Sequence, residues 1–146
     1  MSLIIVGCDP GPVTGIAALR YPGTHSVFQC DAGSALRLVF WLGQHAMAGG
    51  IRVVLAGEAF QAGRGAGARM KGAEVTRRLI AELDSLGSWH WRAAGLVKPW
   101  ATDERLQKAG LLELKGAGPH AMDAARHALY AACHDAGVKD PLSRLA

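Results

Sequence analysis

A chain of 146 residues and 15.3 kDa is the size of one ordinary domain, which excludes a two-domain kinase, a repeat array and a membrane bundle. Half of its residues are apolar and 19% are charged, enough to bury a core and unlike a disordered segment. The formal net charge is +4 and the pI is near 9.3, a weak pull toward polyanions. No apolar run reaches the roughly 18 residues of a membrane span, and no charged region precedes Leu3–Cys8, so a soluble, intracellular protein is expected. Cys8, Cys30 and Cys133 fit no metal-ligand spacing and are expected as reduced thiols, with a dimer-linking disulfide through Cys30 or Cys133 left open.

In chain order, Leu3–Cys8 is a branched apolar run stopped by Asp9-Pro10-Gly11, which predicts a buried strand entering a turn. Gly15–Tyr21 and Ser26–Asp31 read as two more strands joined at Pro22-Gly23. Ser34–Met47 has helical apolar spacing and is closed by Gly49-Gly50. Ile51–Ala56 is a fourth strand ending at Gly57-Glu58. A glycine-rich loop (Gly63, Gly65, Gly67) and a helix over 70–86 follow. Trp89–Val97 is read as a fifth strand broken by Pro99, and Thr102 as the cap of a short helix. A last helix is expected from Pro119 to about Ala136. The order predicts one α/β domain over residues 1–146, with no internal repeat or linker.

The acids fall in informative places. Asp9 and Glu58 each end a strand expected near the middle of a sheet, where a charge is rarely buried without a partner. His120 and Asp123 open the last helix at i and i+3, on one face. Taken singly, each has an ordinary explanation as a turn, loop or helix cap. Taken together, convergent carboxylates about 4 Å apart repel by roughly 4 kcal/mol at an effective dielectric near 20, and so call for a cation. Oxygen-rich ligands suit Mg²⁺ or Mn²⁺. A basic stretch adjoins Glu58: Arg64, Arg69, Lys71, Arg77 and Arg78 outnumber Glu74 by four, leaving the rest of the chain near neutral. It reads either as a solvated helix face or as a polyanion track.

Ile4-Ile-Val-Gly-Cys-Asp9-Pro-Gly11-Pro-Val-Thr14-Gly15 resembles the opening G-x-D-P-G-x-x-x-T-G motif of the RuvC family of Holliday junction resolvases. Val54-Leu-Ala-Gly-Glu58 resembles that family's second acidic strand, and His120-Ala-Met-Asp123-Ala-Ala125 its closing D-A-A-D-A motif. The likeness spans nearly the whole chain and is to a compact, phage-like member. It implies a ribonuclease H-like fold, a mixed five-stranded sheet flanked by helices. It also implies a homodimer that grips branched DNA, a four-way junction, and makes two symmetric nicks. The closing motif departs from the family where His120 replaces the usual acid, and an imidazole favours Mn²⁺ over Mg²⁺.

On that resemblance Asp9, Glu58, His120 and Asp123 are both the catalytic and the metal-holding residues for two divalent cations, Mg²⁺ or Mn²⁺. Asp9 bridges them, Glu58 completes one site, and His120 with Asp123 completes the other. The expected products are 5′-phosphate and 3′-hydroxyl ends, formed by water attack without a covalent nucleophile. The candidate DNA contacts are Phe60, Arg64, Arg69, Lys71, Arg77, Arg78 and Lys98, with Lys108 a further one. Phe60 is either a core residue or an aromatic wedge at the junction. Trp89, Trp91 and Trp100 are read as core or dimer-seam residues, and His127 and Tyr130 as packing on the Asp123 face of the last helix, within reach of a hydrogen bond to the site. No GxxxxGK[ST] occurs, so no nucleotide cofactor is expected. The expected location is the cytoplasm, the host's if the chain is phage-encoded. Two other readings remain: a broader flap or fork nuclease of the same fold, and a non-catalytic DNA-binding relative. A sugar-kinase or actin-like phosphate loop is excluded by length.

Overall fold

The computed structural model describes residues 2–60 and 70–143. Along the chain run β1 (Leu3–Asp9), β2 (Val13–Tyr21), β3 (Ser26–Asp31), α1 (Ala32–Ala48), β4 (Arg52–Glu58) and α2 (Met70–Asp84). Then come β5 (Trp89–Arg92), α3 (Ala94–Val97), α4 (Asp103–Lys108), a 3₁₀ segment (Leu112–Ala117) and α5 (Pro119–Asp135). The five strands form one sheet in the order β3-β2-β1-β4-β5. The first three are an antiparallel meander, and β4 and β5 are added parallel to β1. This is the mixed five-stranded sheet flanked by helices that the resemblance implies, and it agrees with the α/β element order read from the sequence.

Strand side chains alternate between the two faces of a sheet, and here that alternation divides the core. Ile4, Val6, Cys8, Ile16 and Ala18 face α1 and α2, where they meet Val39, Leu42, Leu79 and Leu83. Leu3, Ile5, Ala17, Leu19, Val54 and Ala56 face the other way, onto α5 and α4. Continuing the period by two residues carries Asp9 on β1 and Glu58 on β4 to the α5 face. The β1–β4 register ends at the pair Cys8–Gly57, so the two acids are neighbours on adjacent central strands.

The seat of α5 is unusually close. Its inward side is built from fully buried alanines (Ala121, Ala124, Ala125, Ala128, Ala131 and Ala132). Beneath it Gly7 and Gly15 carry no Cβ: one at Gly7 would overlap the Ala124 carbonyl, and one at Gly15 the His120 carbonyl. Backbone therefore packs on backbone where the helix crosses β1 and β2.

Two sequence expectations need correction. The fifth strand stops at Arg92, because its partner β4 ends at Glu58 and the last pair is Glu58–Arg92. With no strand left to pair with, Ala94–Val97 coils into the short α3. Helix α1 begins two residues earlier than read, because Asp31 accepts from Ser34 N–H at 2.8 Å and caps it. No helix among the described residues is long and apolar enough to cross a membrane. The three cysteines are free thiols, with Cys8 buried.

A candidate acidic site at the ends of the central strands

Four elements bring the predicted residues to one end of the sheet. Thr14 Oγ1, fully buried, donates to the Gly11 carbonyl at 2.6 Å and braces the turn that follows Asp9. Pro119 occupies the first turn of α5, and Gly118 before it offers no capping side chain. The cap comes instead from the sheet: Gln29 Oε1 on β3 accepts from the backbone N–H of His120 at 2.8 Å and of Ala121 at 3.4 Å. Sequence reading gave Gln29 no role, since the contact spans 91 residues.

Asp9 is 7% exposed and bonds through Oδ2 to His120 Nδ1 at 2.9 Å. Burial pushes its carboxyl up to about 6; the His120 bond opposes that rise, while the negative charges of Glu58 and Asp123 add to it. Glu58 shifts the other way. His127 beside it holds its carboxyl below the usual range against the opposing effect of burial, helped by Lys98 and by the Asp9 carboxyl. Asp123 lies 3.5 Å from Lys98 Nζ and 3.6 Å from Arg126 Nη1, and Arg126 is anchored in turn on Asp103 at 3.0 Å. The acids therefore share one electrostatic neighbourhood, and a cleft of about 320 Å³ opens between Asp9, Glu58, Phe60 and the start of α3. Larger concavities between α1 and α2, under Phe40 and Met47, and beside Gln107 and Leu112 lie away from these acids.

Each carboxylate is turned toward a basic partner: Asp9 to His120, Glu58 to His127, Asp123 to Lys98 and Arg126. In consequence, among the described residues no three His, Cys, Asp or Glu side chains stand close enough to hold one metal ion. The expectation of a ready-assembled four-ligand cluster is corrected to that extent. The chemistry of the donor set nevertheless fits a hard divalent cation. Asp9 bonds to the His120 imidazole and feels the negative charges of Glu58 and Asp123, and buried Glu58 Oε1 has no hydrogen-bond partner among the described residues.

The remaining predicted residues separate into two groups. Lys98 reaches Asp123. Phe60 is exposed at the cleft, not in the core, and the Arg77 guanidinium lies over its ring at 5.8 Å. Arg78 is exposed on α2 beside Arg77, Lys71 lies in the first turn of that helix, and Lys108 is exposed at the end of α4. Arg64 and Arg69 fall outside the described residues. Trp89 and Trp91 stack on each other at 4.8 Å against the α1–α2 core, and Trp100 packs with Tyr130 and His134 on the opposite side. His127, expected to pack within reach of the site, is 2% exposed, and its Nε2 faces Glu58 Oε1 at 3.5 Å.

A mixed sheet in this order, with α5 across one face and acids at the ends of its two central strands, is the ribonuclease H-like arrangement. No protein-family model matches the chain, and no curated protein sequence matches it. Among solved structures it is similar to T. thermophilus RuvC in complex with a Holliday junction substrate. The two share 16% sequence identity and a TM-score of 0.51, over 86% of this chain and 90% of that one. The likeness is one of fold.

Proposed function

We propose that the chain is a divalent-metal-dependent endodeoxyribonuclease that resolves four-way DNA junctions by paired, symmetric nicks. The observation that carries the reading is the buried Asp9 carboxyl, raised to about 6 by burial first and then by the neighbouring negative charges of Glu58 and Asp123. It lies on a fold shared with a protein bound to a Holliday junction.

Asp9, Glu58, His120 and Asp123 would hold the cations, as Mg²⁺ or Mn²⁺. When bound, such ions lower the pKa of a water and neutralise charge on a phosphodiester, which suits hydrolysis to 5′-phosphate and 3′-hydroxyl ends. His120 keeps the Asp9 carboxylate oriented from the helix side, and Gln29 fixes the turn that carries His120. Lys98 stands beside Asp123 with a half-exposed ammonium, placed to meet a phosphate oxygen. Phe60 at the lip of the cleft offers a ring for base stacking, with Arg77 over it. Arg77 and Arg78, together with Arg64, Arg69 and Lys71 of the same basic stretch, would follow the backbone phosphates by charge. Two symmetric nicks need two sites related by a two-fold axis, which supports a homodimer.

The test is a cleavage assay on a four-way junction, a flap, an RNA–DNA hybrid and a linear duplex, in Mg²⁺ and in Mn²⁺. Paired nicks on the junction, abolished by Asp9→Asn with binding retained, are the expected result. Preference for the flap would make the chain a broader branched-DNA nuclease. Near-wild-type cleavage by Asp9→Asn would refute the site.

A further inference from the structure

Helix α5 carries a second imidazole that the scheme above does not use. His127 lies one turn beyond Asp123 on the same face and is buried, facing Glu58 at the end of β4. A histidine with nothing to bond would be a poor filler there, because burying a polar nitrogen without a partner is unfavourable where an aliphatic side chain is not. Its Nε2 has no hydrogen-bond partner, and Glu58 Oε1, 3.5 Å away, has none either. Two orphaned polar atoms facing each other in a dry seam are a pair, and a shift of a few tenths of an ångström brings them to ordinary hydrogen-bond length. Meanwhile the Glu58 side chain stays 24% exposed and lines the cleft, so Oε2 is the oxygen left for a ligand.

We propose that His127 is a positioning residue that anchors Glu58 Oε1 and thereby aims Oε2 into the cleft as a cation ligand. The proposal rests on the metal-site reading above. It gives α5 a double function: His120 orients the acid of β1, and His127 orients the acid of β4. Partners of this kind behind a ligating carboxylate change metal affinity by roughly 10- to 100-fold when removed.

The experiment titrates the full-length protein with Mn²⁺ alone and reads free Mn²⁺ by electron paramagnetic resonance, alongside a thermal melt. His127→Leu is expected to weaken Mn²⁺ binding by at least about tenfold. His127→Gln, whose amide nitrogen reaches about as far as Nε2, is expected to stay within about threefold of wild type. In a Glu58→Gln background, His127→Leu is expected to add nothing further. Unchanged affinity in His127→Leu, or an equal loss with and without Glu58, overturns the proposal in favour of packing alone. If Glu58→Gln itself leaves Mn²⁺ binding intact, the metal-site reading fails, and this inference fails with it. Should His127→Leu not fold, His127→Asn decides, because its amide falls short of Glu58. Binding about tenfold weaker than in His127→Gln supports the anchor, and equal binding overturns it.

Discussion

Removing the charge of Asp9 is expected to make the metal-free protein more stable while making it useless for cleavage. An aspartate in the unfolded chain titrates near 3.8, whereas burial in the fold raises this one to about 6. Between those values the folded chain keeps a proton that the unfolded chain has lost, so stability falls as pH rises through that window. Above it the full penalty is present. About two pH units at 1.36 kcal/mol each amount to about 3 kcal/mol, already net of the opposing His120 hydrogen bond. Asparagine has nearly the same shape and no charge, so Asp9→Asn escapes the penalty. For a domain of this size 1 kcal/mol moves the melting temperature by roughly 3–4 °C, so a gain of roughly 10 °C is expected at pH 8 in a chelator. Melts from pH 4 to 8 check it: the gap between variant and wild type should close toward pH 4, where the folded chain holds Asp9 protonated and the unfolded chain begins to take up the same proton. Adding Mn²⁺ at pH 8 should raise the wild type and leave the variant unmoved. A variant that melts no higher than wild type at pH 8 would refute the claim that Asp9 carries an uncompensated buried charge.

Four other substitutions test the scaffold and the proposed DNA face. Gly15→Ala forces a methyl against the His120 carbonyl and should destabilise by about 2 kcal/mol or more, read by thermal melt, with Mn²⁺ affinity falling in parallel. Gln29→Ala removes the acceptor for two α5 N–H groups and should cost about 1 kcal/mol in denaturant unfolding, as losing a helix cap does. Arg77→Ala and Arg78→Ala should each weaken junction binding whatever the sequence at the branch, and each should lower the slope of log affinity against log salt by about one. An unchanged slope would remove that side chain from the phosphate path.

The acids were legible because strand alternation and strand ends are local properties. Once Leu3–Cys8 and Ile51–Ala56 are read as strands, the acid at the end of each run must leave the sheet at its end, and a helix opening with His120 and Asp123 has one face to offer. The partners of those residues were not legible in the same way. Gln29 caps α5 across the sheet, and His127 meets Glu58 only because the helix sits so low over Gly7. Both depend on the angle and height at which α5 crosses the strands, which no short window of sequence carries. The overrun of the fifth strand has a similar cause. Trp89–Val97 has a strand-like start, but its length is set by where β4 ends, a property of the neighbour. Phe60, divided between core and wedge on hydrophobicity alone, is assigned to the cleft by its position just beyond the last rung of β4.

The direct seating of α5 on β1 and β2 also governs how the protein can be altered. At Gly7 and Gly15 main chain rests on main chain, and no side chain of the sheet lies between helix and strand there to absorb a displacement. A designer who wished to respace Asp9 and His120 could not do so by trimming or enlarging cushions at Gly7 and Gly15, because there are none at those two points. The spacing can be changed only by moving the helix as a block or by exchanging the tips of the acids themselves, whereas the exposed flank of α2 can be rewritten without disturbing either.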